Sequence, residues 1–198
     1  MDKFVPFTST FSAARIFISV PDAMLISLIV FIVLRIFCFK RMKFSRTLLC
    51  GLFSVYLGAV VSLSLFPIFP NQFAFSWQNF ASEFQKASLL PFFWSIQMFQ
   101  NGISSGNMSL VFYNLGGNLI LFMPFGVLVP LIWKSAKPLK IILLAIVSSF
   151  GVEFLQFLQN AFRIGHNDVS FDDFFLNAAG CILAYLLFLG IRTAAKKG

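Results

Sequence analysis

Five stretches of about 20 mostly apolar residues divide this chain, each long enough to cross a bilayer core as a helix. In lipid every backbone N–H and C=O must be bonded within the protein, so runs of this length call for helices. The spans are read as Pro21–Phe39, Leu48–Phe69, Leu115–Trp133, Leu139–Leu158 and Phe174–Ile191. They occupy most of the 198 residues and leave no room for a separate soluble domain. Only 11% of the residues are charged, against about 25% in a soluble domain. The expected fold class is therefore all-α, a polytopic transmembrane helix bundle of about five spans.

Charge sets the direction of the spans. The loop after the first span carries Lys40, Arg41, Lys43 and Arg46, and the loop after the third carries Lys134, Lys137 and Lys140. The tail carries Arg192, Lys196 and Lys197, and none of these three segments holds an acid. Short basic loops stay in the cytoplasm, which places the N-terminus outside and the C-terminus inside. The same rule accounts for the net charge of +8, so nucleic acid is not expected as a partner. Arg35, near one end of the first span, is positioned to snorkel to the interface. The first residues lack a compact basic start followed by an apolar run and a cleavage site, so no cleaved signal peptide is expected. Residues 1–47 are read as an interfacial segment, the first span and a basic loop, 48–191 as the main transmembrane domain, and 192–198 as a cytoplasmic tail. Cys38, Cys50 and Cys181 have no ligand spacing and read as small membrane-embedded side chains. No internal repeat is visible.

The connection between spans two and three, about Pro70–Tyr113, is the only long one. Phe73, Trp77, Phe80 and Phe84 recur at steps of four, three and four, which is one face of a helix. Such a segment can lie in the headgroup plane on the outer side, either as a simple cap on the bundle or as a gate for a substrate.

Only seven residues are acidic, and Glu153, Asp168, Asp172 and Asp173 fall within 21 positions. Ionisable groups at membrane depth are costly and mark functional sites by default. Asn114 and Asn118 stand one turn apart at the start of span three, and Glu153 and Gln156 share a face near the outer end of span four. Asp173, Asn177 and Gly180 share a face of span five. These groups are expected to turn inward at similar depth and to bond one another or enclose water. Asp172 and Asp173 also suit a helix N-terminus, whose free N–H groups carry partial positive charge, so capping stands beside function for both. Glu153 is no such cap, because it lies near a helix C-terminus. Arg163 is available to pair with a carboxylate or to hold a phosphate. His166, alone in the same loop, reads as a solvated side chain. Pro124 and Gly126 mark a kink and a close helix approach in span three. Oxygens of Glu153 and Asp173 would suit magnesium or calcium, but no spacing calls for a metal or any other cofactor. No Ser-His or Cys-His arrangement supports covalent catalysis.

The runs YNLGGNLILFMPFGVLVP, VEFLQF and DDFFLNAAG, in this order, resemble the VanZ-like family of bacterial membrane proteins. The matching positions are Asn118 before Phe122 to Gly126, then Glu153 and Gln156, then Asp173, Asn177 and Gly180, with Leu89, Pro91 and Phe92 ahead of them. The resemblance covers about Leu48–Leu187. Where the family often has a further Asp three residues before the one matched by Asp173, this chain has Ser170.

The resemblance implies a bacterial cell-membrane protein affecting susceptibility to teicoplanin, a lipid-tailed glycopeptide. Two readings follow. In one, an outer-leaflet polar site engages membrane lipid headgroups, lipid-linked cell-wall precursors or the antibiotic, with Asn118, Gln156, Arg163, Asp172 and Asn177 as binding candidates. In the other, Glu153 and Asp173 are catalytic groups of an intramembrane enzyme acting on a lipid or polyprenyl-phosphate headgroup. A proton-coupled transporter would use the same buried carboxylate, but the absence of a visible repeat disfavours it.

Overall fold

A computed structural model describes residues 15–39, 42–86, 92–167 and 169–196. Its described residues form eight α-helices: α1 (Val20–Phe37), α2 (Phe44–Leu65), α3 (Trp77–Lys86), α4 (Phe93–Ser105), α5 (Met108–Leu121), α6 (Met123–Ile132), α7 (Pro138–Ala161) and α8 (Phe171–Ala194). Helices α1, α2, α7 and α8 are each long and apolar enough to cross a membrane, and α5 with α6 forms the fifth such span over Met108–Ile132. The all-α, five-span reading is borne out. The bundle has a basic end, carrying the loops around Lys43 and Lys134, and an acidic end, where α8 begins. Most of the N-terminal interfacial segment, Lys40, Arg41, Leu89, Pro91, Asp168 and Lys197 lie outside the described residues.

The last three spans are longer than the apolar runs that marked them, because polar residues at helix ends still keep the backbone bonds of a turn. α2 starts four residues earlier than expected and stops at Leu65. It stops there because Phe66 precedes Pro67, and a residue before proline is driven out of the helical region; Phe66 is extended at φ −116° and ψ 149°. The third span begins at Met108 and breaks at Phe122, one residue before α6, with Pro124 in the first turn of α6. The break exposes the Leu121 carbonyl, which accepts a hydrogen bond from the Tyr56 hydroxyl of α2 at 2.9 Å. A carbonyl at membrane depth needs such a partner.

Helix α8 is the hub and packs on α5, α6 and α7, while α2 packs on α1, α6 and α7. Glycines set the closest approaches. A Cβ at Gly180 would stand 1.8 Å from the Leu119 carbonyl oxygen, and one at Gly126 would stand 2.1 Å from that of Cys181. At Gly58 it would stand 2.5 Å from that of Ala23, so α1 and α2 also meet backbone to backbone. Lipid supplies no hydrophobic drive between helices, and close packing of small residues takes its place. The core at the centre holds Val60, Phe122, Phe125, Ile141, Ala145, Cys181 and Tyr185.

The amphipathic connection resolves into two helices that border the acidic end. α3 lies on α7, and α4 lies on α5 and α8. Phe73 precedes α3 rather than joining its face, but Phe80 of α3 packs edge-on against Phe157 of α7 at 5.1 Å between ring centroids. At the basic end Arg35 reaches Thr47 and the Met42 carbonyl, which keeps its guanidinium at the helix ends.

Candidate functional site

The start of α8 organises the acidic end. Ser170 caps α8, its hydroxyl accepting from the Asp173 amide at 3.2 Å. With Ser170 as the cap, the two aspartates that follow are free to face other elements. Asp172 is 1% exposed and turns to α4. Its Oδ1 accepts from the Phe92 amide at 2.5 Å and its Oδ2 from the Ser95 amide at 2.6 Å. It therefore caps a different helix from its own, and it holds Phe92 at φ 62°, a left-handed conformation rare for a bulky residue. Stacking of Phe92 on Phe175 adds to that hold.

Asp173 faces α5 and accepts a hydrogen bond from the Asn118 amide. The two line a small polar recess of about 80 Å³ with Trp94, Met98 and Asn114. One turn further along α8, Asn177 is 1% exposed and its Oδ1 has no hydrogen-bond partner. Beneath it, the Ser149 hydroxyl of α7 bonds the Phe174 carbonyl at 2.9 Å.

Glu153 of α7 is 7% exposed, with its Oε2 unpartnered. Glu153 also belongs to the wall of a cleft of about 320 Å³ between α3, α7 and the start of α8. The rest of that wall is almost wholly phenylalanine: Phe80 and Phe84 from α3, Phe150, Phe154 and Phe157 from α7, and Phe171 and Phe174 from α8. An apolar cleft beside a few buried polar groups is the ordinary form of a small-molecule site.

Two of the expected site residues are committed elsewhere. Gln156 donates to the Ser64 carbonyl at 2.9 Å, and Gln159 donates to the Leu65 carbonyl at 3.0 Å. Both serve the last carbonyls of α2, which have no partner within their own helix. Arg163 stands exposed in the left-handed residue after α7 and donates to Asn79 of α3 at 3.1 Å, not to Glu153. His166 is exposed, hydrogen-bonds Gln72 at 3.1 Å and packs on Phe69. The residues brought together are thus Asn118, Glu153, Asp172, Asp173 and Asn177. The sequence reading passed over Ser170 as a cap, although a serine before an acidic helical turn is the signal for one. It also passed over the cleft, whose rings come from three helices. Among the described residues no group of three His, Cys, Asp or Glu side chains is placed to hold a metal ion.

A family comparison covers the helices that carry these groups. The sequence profile of the VanZ/LLP1 family matches residues 53–192, which is more than two thirds of the chain. The chain belongs to the VanZ/LLP1 family. No curated protein and no solved structure gives a match. The matched region runs from within α2 to α8 and so contains every VanZ/LLP1 element that builds the acidic end, while α1 precedes it.

Proposed function

We propose that this VanZ/LLP1 protein of the bacterial cell membrane engages a lipid-tailed molecule at its acidic end. Through that contact it lowers susceptibility to teicoplanin-type glycopeptides. The observation that carries the reading is the phenylalanine cleft with Glu153 in its wall, a buried carboxylate with an unpartnered oxygen. The cleft suits an acyl or polyprenyl chain, and the Glu153 carboxyl lies behind its phenylalanine lining, where a head group would reach it once those rings shift. With the basic loops inside, the cleft opens to the outer leaflet, where glycopeptides and lipid-linked precursors meet.

The test is teicoplanin and vancomycin susceptibility in a sensitive Gram-positive host expressing wild type, Glu153→Gln or Asp173→Asn at matched membrane levels. The expected result is teicoplanin protection by wild type that both variants lose, with little change for vancomycin. Absence of protection by wild type would remove resistance from the proposal.

A second reading is favoured by two buried acids on adjacent helices, Glu153 of α7 and Asp172 of α8, at the same end of the bundle. A buried carboxyl group there suits general acid–base chemistry on a lipid headgroup. A lipid profile altered by wild type and equally altered by Glu153→Gln would rule that out.

A further inference from the structure

The basic end holds a second recess, remote from the acidic site. It opens between the start of α2 and the end of α6 and encloses about 770 Å³. Lys43, Arg46 and Lys134 stand at its rim, and Leu49, Leu131 and Trp133 form its apolar side. The cations come from two loops far apart in sequence, so the fold has gathered them. Every described acid, Asp22, Glu83, Glu153, Asp172 and Asp173, lies at the other end or in the other half of the bundle. α2 begins here with Lys43 as its cap residue and no side-chain cap bond. The Trp133 ring, with the Lys140 ammonium 3.7 Å from its centre, fixes this level as the interface between headgroups and hydrocarbon.

We propose that this recess is a binding site for an anionic diacyl phospholipid, its phosphate held by Lys43, Arg46 and Lys134 and its chain laid along Leu49 and Leu131. General attraction of basic loops to an anionic membrane needs only the charges. This site needs the charges and the apolar recess beneath them together. Basic pockets between transmembrane helices on the cytoplasmic side hold anionic headgroups in this way.

The experiment uses the full chain in nanodiscs of equal parts phosphatidylglycerol and phosphatidylcholine, transferred to detergent, with the co-purified lipid counted by native mass spectrometry. Wild type is expected to retain phosphatidylglycerol in clear excess. Each Lys or Arg near an anionic headgroup contributes about fivefold to binding, so Lys43→Gln with Arg46→Gln and Lys134→Gln should cut that retention at least about tenfold. Leu49→Ser with Leu131→Ser keeps every charge but removes the apolar side of the recess, and it too should lower retention. Helical circular dichroism and monodisperse elution check that each variant is folded. Equal retention of the two lipids by wild type would overturn the proposal. So would the Leu49→Ser, Leu131→Ser variant retaining phosphatidylglycerol at the wild-type level, because the cations would then act by charge alone. Displacement of the lipid by millimolar inorganic phosphate would also overturn it, because the recess would then be a free-anion site.

Discussion

At the scale of the residue, the three carboxylates at the acidic end differ by partner, not by type. Asp172 meets two backbone amides of α4, Asp173 meets Asn118, and Glu153 keeps an oxygen without a partner. Asp172 therefore has a structural duty that substitution exposes. Asp172→Ala takes the partner from the part-buried Phe92 and Ser95 amides and should cost about 2 kcal/mol, read as a lowered midpoint in thermal unfolding in detergent. Amide hydrogen exchange should rise first in α4, whose start that side chain holds. Glu153→Gln keeps shape and replaces the carboxyl with an amide, so it should leave the unfolding midpoint within about 1 kcal/mol of wild type while abolishing the proposed activity. A large loss of stability in Glu153→Gln would make Glu153 a structural residue instead.

At the scale of the element, helix contacts are decided by small side chains and by satisfied backbone. Gly180→Ala puts a Cβ onto the Leu119 carbonyl and should separate α5 from α8 at a cost of roughly 3 kcal/mol. Gly116→Ala and Gly117→Ala, in α5 but with open space around them, should be neutral or stabilise by about 0.5 kcal/mol through helix propensity. The same unfolding assay separates the two classes, and equal effects would show that the α5–α8 contact is looser than described. Tyr56→Phe removes the partner of the Leu121 carbonyl at the break in the third span and should cost about 1 kcal/mol. The break was legible as Pro124 within an apolar run, but the residue that answers it was not. Tyr56 lies 65 positions away and gave no local sign of its role.

At the scale of the molecule, charge divides the bundle into two ends with opposite preferences. The acidic end has Arg163 committed to Asn79 and Lys86 committed to Glu83 at 2.7 Å. A phosphate head would lose its hydration against the apolar wall of the cleft. Amphiphiles of one chain length with a hydroxyl head should thus be retained several-fold better at the cleft than the phosphate-headed analogue, with photo-crosslinking to Phe154 or its neighbours as the readout. Stronger labelling by the phosphate-headed probe would turn the reading toward polyprenyl phosphate and an accompanying cation. The basic end carries the reverse preference, so the two sites are distinguishable by head charge alone.

The sequence by itself determined the solvent, the secondary structure and the family. Runs of about 20 apolar residues permit little besides membrane-spanning helices, and the spacing of Asn118, Glu153, Gln156, Asp173 and Asn177 along them carried the resemblance that the family match bears out. Periodicity also put Glu153 with Gln156 and Asp173 with Asn177 on shared faces, and that much holds within each helix. Only the tertiary structure decided which neighbour each face meets. It sent Gln156 to the end of α2, Asp172 to the start of α4 and Arg163 to α3. It built the cleft from rings on three helices and gathered Lys43, Arg46 and Lys134 around one recess. The physical reason is that span and face are local properties of a helix, whereas helix rotation and partner depend on backbone contacts such as Gly180 against Leu119.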